Sequence, residues 1–183
     1  IGARSLRAKD VLLKPTPLEI EGPFYPIYPQ KDKDFDLTRF NGSDGTAQGE
    51  HIFVHGIVLN ENSVPVEGAT VDLWQANTFG RYRHPNDLSE GELDPNFQGW
   101  AIVQTGKSGE FKFKTVFPGT YKAARDWVHP PHIHFKVFKS GYDELVTQMY
   151  FPGHPLNEVD LLIRRKSTEA QDLMISELIG DDP

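Results

Sequence analysis

The chain has 183 residues, enough for one domain with a hydrophobic core and short for two, and its 38% apolar and 25% charged residues are an ordinary globular composition. A net charge of -7 argues against nonspecific nucleic-acid binding, which depends on lysine and arginine neutralising phosphates, and no apolar run approaches the length that spans a bilayer. With no cysteine, disulfides, thiolate metal sites and cysteine nucleophiles are excluded together, so a metal would have to be held by His, carboxylate or Tyr.

Ile1 rather than Met opens the chain, read as the trace of a removed leader or tag. No signal-peptide pattern remains; the expected compartment is cytoplasmic, with secretion left open. Residues 1–50 are rich in Pro, Gly and Asp, with a dense run at Glu21-Gly22-Pro23-Phe24-Tyr25-Pro26-Ile27-Tyr28-Pro29. Prolines so spaced neither donate to a ladder nor continue a helix, which predicts an extended arm packed on the body. Its aromatics Phe24, Tyr25 and Tyr28 would dock there, and a tyrosine on such an arm can also close one side of a pocket.

Residues 51–183 are expected to form the catalytic domain. Runs rich in β-branched and apolar residues at 52–59, 69–75, 99–104, 110–117, 133–139 and 145–151 predict six strands. Lys107-Ser108-Gly109 and the stretch Lys139 to Asp143 read as hairpin-like turns. The predicted class is all-β, an antiparallel β-sandwich. Between strands, 79–98 is a long loop holding Tyr82 and His84, a length usually tied to function. Thr168 with Gln171 fits a capping box, and Ala170, Leu173, Met174, Glu177 and Leu178 keep helical spacing, predicting a short C-terminal helix.

In Pro131-His132-Ile133-His134-Phe135 the two histidines share one strand face, while Ile133, Phe135 and Val137 share the other. The apolar face belongs in the core, so the imidazoles project together as two ligands to one metal would. Taken alone, the pair could equally satisfy hydrogen bonds at a sheet edge. Tyr82 and Tyr121 are individually ordinary half-buried tyrosines, and spacing does not show that they converge.

Asp72-Leu73-Trp74-Gln75-Ala76-Asn77 running into Gly80-Arg81-Tyr82-Arg83-His84, then Leu93-Asp94-Pro95-Asn96-Phe97, the His132/His134 strand and Thr147-Gln148-Met149-Tyr150-Phe151 occur in one order and spacing. Over Glu21 to Phe151 the chain resembles the intradiol ring-cleavage dioxygenases, their protocatechuate-cleaving branch above all. The resemblance implies a mononuclear non-haem Fe(III) held by Tyr82, Tyr121, His132 and His134. It implies that Tyr121 leaves the metal and acts as a base when a catechol binds, and that O2 opens the ring to a cis,cis-muconate. It assigns Trp74 to the pocket wall and Gln148 to a polar contact near the metal, with Tyr25 a further substrate-binding residue.

The family's Arg-Pro-x-His-x-His becomes His129-Pro130-Pro131-His132-Ile133-His134 here, and a histidine replaces the arginine's charge only when protonated. The stretch from Tyr121 to His132 is also short and contains Arg125. The expectation is that Arg125 swings into the vacated place, so that Arg125→Ala slows turnover more than His129→Ala. Expected partners are a catecholic molecule and O2, with a homo-oligomer or a hetero-oligomer with a related chain both open. Two rival readings stand beside this one, a transthyretin-like binding module and a noncatalytic subunit of a dioxygenase.

Overall fold

The structure, a computed structural model, describes residues 13–30, 32–177 and 179. Eight strands form in chain order: β1 His51–Ile57, β2 Thr70–Trp74, β3 Trp100–Gln104, β4 Glu110–Val116, β5 Tyr121–Ala124, β6 Trp127–His129, β7 His132–Phe138 and β8 Leu145–Tyr150. They pair antiparallel in three sheets, β3-β2-β7-β8, β1-β4 and β5-β6. Val71 and Leu73 of β2, Ile133 and Phe135 of β7, Val54 of β1 and Phe113 of β4 meet in one core, so the two larger layers face each other as the antiparallel pattern predicts.

All six predicted strands form. The additional β5–β6 hairpin occupies the short stretch where only a loop was foreseen; Arg125 and Asp126 make its turn. Lys139 to Asp143 joins the paired strands β7 and β8, a true hairpin. Lys107-Ser108-Gly109 forms the expected tight turn, closed by Gly106 N–H to Glu110 O at 2.9 Å and Gly109 N–H to Gly106 O at 3.0 Å, but the strands it joins, β3 and β4, enter different sheets and do not pair.

The arm straps the body. Glu19 N–H donates to Val146 O at 2.9 Å and the Thr147 hydroxyl donates to Pro17 O at 2.7 Å along β8. On the opposite edge, Ile102 N–H donates to Lys33 O at 2.9 Å beside β3. Both edges of the four-stranded sheet are thus occupied by the chain's own backbone, which removes an aggregation template.

After β8 come two 3₁₀ turns, Pro155–Glu158 and Ile163–Arg165, and the helix α1 Thr168–Asp172. Its cap is Ser167, whose hydroxyl accepts from Ala170 N, while Gln171 turns back to donate to Lys166 O; Thr168 is not the cap. The helix ends early because Met174 is buried against Tyr150 and Ile163 and its carbonyl accepts from Tyr150 N at 2.8 Å. Leu178, predicted to continue the helical face, lies outside the described residues, as does the start of the arm.

Candidate metal centre

Alternation along β7 sends Ile133 and Phe135 into the core and His132 and His134 to the other face, where they are 2% and 3% exposed. The His132 Nδ1–H donates to Pro130 O at 2.7 Å, leaving the Nε2 lone pair free. That Nε2 lies 3.0 Å from His134 Nε2 and 3.1 Å from the Tyr82 hydroxyl. Tyr121 completes the group, its ring 5.4 Å edge-on to Tyr82 and 5.8 Å from His132. All four residues singled out in the sequence are therefore brought together.

Two glycines explain how the tyrosines meet. Gly80, at φ +73°, lies so close to Thr120 that a Cβ would fall 1.9 Å from its carbonyl oxygen, and Gly119 N–H donates to Asn77 O at 2.9 Å. The Tyr82 loop and the segment leading into Tyr121 thus run in backbone contact. The long loop is pinned as well: the Asn77 amide donates to Glu92 O at 2.7 Å, and Asp87 accepts from Tyr82 N at 2.6 Å.

Burial, with His129 and His134 nearby, pulls the His132 pKa well below its ordinary value; burial and then His129 lower His134 to about 3. Both imidazoles are neutral and ligand-ready. Burial chiefly, then Tyr121 and Asp87, pushes the Tyr82 phenol up, and burial with Asp160 and Asp87 does the same for Tyr121. Only a strong cation would convert such phenols to phenolates at neutral pH. Among the described residues no three His, Cys, Asp or Glu side chains cluster as a metal site, so a metal here depends on the tyrosines. Two neutral imidazoles and two hard oxygen donors fit a ferric ion better than a soft one.

Trp74 lies flat on His134, ring centres 4.8 Å apart and 6° from parallel. Tyr25, expected to touch substrate, instead donates from its hydroxyl to Asp72 at 2.7 Å and packs edge-on against Trp74; the pleat of β2 puts Asp72 and Trp74 on one face, so Tyr25 backs the wall. Its neighbour Phe24, read only as packing, is the arm residue that meets Tyr82 and Tyr121, at 4.9 and 5.6 Å. Gly22 lies over His134, where a Cβ would stand 3.3 Å from Cε1. A cleft of about 250 Å³ is bordered by Phe24, Tyr28, Phe40, Trp74, Tyr82 and Trp100 but by none of the imidazoles.

Arg125 does not enter this cluster. It sits exposed in the β5–β6 turn, with no hydrogen bond or ion pair among the described residues. The place beside the four residues is taken by His129, which pairs with Tyr121 across the hairpin and is 1% exposed. Its ring centre is 4.1 Å from that of His132, and its nitrogens face Asp160 Oδ2 at 2.7 Å and Gln148 Oε1 at 3.2 Å. Gln148 is oriented by donating to Ile20 O and accepting from Tyr150. Asp160 was not foreseen, and no motif marks it.

Residues 20–180 match the dioxygenase family Dioxygenase_C. The chain is 40% identical over 160 residues to the protocatechuate 3,4-dioxygenase beta chain of Burkholderia cepacia, covering 84% of this chain and 68% of that one. The chain belongs to the intradiol ring-cleavage dioxygenases. Among solved structures, the dioxygenase domain of a carbohydrate-binding fusion from Streptomyces sp. SirexAA-E superposes with a TM-score of 0.62 at 31% identity, over 82% of this chain and 83% of that one. Catechol 1,2-dioxygenase from Pseudomonas arvilla C-1 gives a TM-score of 0.65 at 27% identity over 87% of this chain, which spans only 52% of that enzyme.

Proposed function

We propose that this chain holds one Fe(III) through Tyr82, Tyr121, His132 and His134 and cleaves a catecholic ring with O2 to a cis,cis-muconate-type product. The Tyr82 hydroxyl and His134 Nε2, both within 3.1 Å of His132 Nε2, carry this reading. Ferric iron, when bound, supplies a Lewis acid that favours phenolate and catecholate and accepts electron density from the substrate ring. Trp74 and the Pro130 carbonyl hold the two imidazoles in register. Tyr82, the more enclosed phenol, stays in place, whereas Tyr121, on a short hairpin at 7% exposure, is the one free to take a catechol proton on its oxygen. Phe24 and Trp74 exclude water beside the reacting ring. His129, its ring nitrogens facing Asp160 Oδ2 and Gln148 Oε1, is held in one orientation beside Tyr121 and His132.

The Burkholderia relative is named for protocatechuate and as a beta chain. We infer a catechol as the substrate class and assembly with a related chain or with further copies. The binding-module and noncatalytic-subunit readings predict a colourless protein. Metal-free protein titrated with Fe(III) is expected to develop a red-brown charge-transfer band. Tyr82→Phe and Tyr121→Phe each move or abolish that band and lower oxygen uptake with catechols by about 10²–10⁴-fold. A protein that stays colourless and binds no iron would sink the proposal.

A further inference from the structure

The geometry points to Asp160 as a positioning residue of the metal-binding group, acting through His129 on Tyr121 and His132. Asp160 lies 31 residues beyond His129, after the strands have ended, and is 1% exposed. Its two oxygens divide their work. Oδ1 accepts from the backbone N–H groups of Leu162 and Ile163 at 2.9 and 3.0 Å; Oδ2 accepts from Trp127 Nε1 at 2.8 Å and His129 at 2.7 Å. Burial alone would raise this carboxyl, but the hydrogen bonds, led by that from His129, hold it below the ordinary carboxylate range.

Capping the 3₁₀ turn requires only Oδ1, and a buried carboxylate is a costly way to satisfy two N–H groups. What the second oxygen adds is the angle of one ring. His129 is clamped at both ends, by Asp160 and by a Gln148 amide that Ile20 and Tyr150 prevent from flipping. The clamped ring then forms a wall shared by two of the four proposed ligands, 4.1 Å from His132 and 5.6 Å from Tyr121. The other half of the group, Trp74 on His134, has no connection to Asp160 by any of these bonds. The C-terminal segment therefore sets the orientation of one side of the site.

The inference rests on the proposed metal site, so its test has a metal-free arm. Asp160→Asn keeps a carbonyl oxygen to cap Leu162 and Ile163 but turns an NH2 toward Trp127 and His129; Glu158→Gln, an exposed neighbour, is the control. In metal-free protein, NMR signals of the His132 and Tyr121 rings should shift in Asp160→Asn while those of Trp74 and the control do not. In iron-loaded protein the visible band should move and iron release to a chelator should accelerate about tenfold. His129→Ala and the His129→Ala/Asp160→Asn double variant should release iron at the same rate, because Asp160 acts only through that ring. Unchanged ring signals and release rate, with only a lowered melting temperature, would make Asp160 a turn cap and overturn the inference. Shifted ring signals in a protein that binds no iron would retain the positioning role and remove the metal reading instead.

Discussion

His129 and Arg125 lie four residues apart on one hairpin, yet one is buried against His132 and the other points from the turn into solvent. From this geometry we expect the order opposite to that suggested by loop length: His129→Ala should lower kcat for oxygen uptake by about 10- to 100-fold, the range for losing a group that orients metal-binding residues, and Arg125→Ala by less than about twofold. Equal losses, or a larger loss for Arg125, would return the role to the arginine. The histidine pair was legible because a strand's two-residue period puts both rings on one face. The two tyrosines came from motif order, since nothing in their spacing brings residues 82 and 121 together. Asp160 was illegible: it is one of 26 acids, and its value comes from a chain reversal that no local pattern encodes.

At the scale of elements, runs of β-formers were enough to find six strands, while which strands share a sheet was not readable. The tight turn at Lys107-Ser108-Gly109 was readable, but a corner between sheets uses the same residues as a hairpin. The contact between the Tyr82 loop and the segment before Tyr121 depends on Gly80, whose positive φ and backbone approach to Thr120 leave no room for a methyl group. Gly80→Ala must therefore push the two segments apart. We expect it to destabilise the metal-free protein by about 1–3 kcal/mol, read from the chemical denaturation midpoint, and to weaken the iron band more than an equally destabilising core change such as Val54→Ala. If the two variants lose iron affinity in step with stability, the glycine contact supports the fold alone.

Across the whole molecule, the arm and the C-terminal segment close around a site in which His132, His134, Tyr82 and Tyr121 are buried in their neutral forms. For His132 and His134 the folded pKa lies below the unfolded value of about 6.5. Below that value the unfolded chain binds protons that the folded chain refuses, so stability falls as pH drops from about 6.5 and is fully present above it. For Tyr82, Tyr121 and Tyr150 the folded pKa lies above the unfolded value of about 10, so stability is lost as pH rises past it. Metal-free protein should thus melt highest between about pH 6.5 and 10, with each limb no steeper than about 1.4 kcal/mol per pH unit per group. Iron should extend the alkaline limb, since a tyrosinate ligand has already given up its proton. Replacing His132 and His134 with Asn should flatten the acid limb between pH 6.5 and 4.5, above the range where carboxylates titrate. An acid limb that stays as steep in that variant would place the responsible protons elsewhere, and a metal-free melting temperature that is level across pH 5 to 11 would mean that these rings are not held neutral by burial.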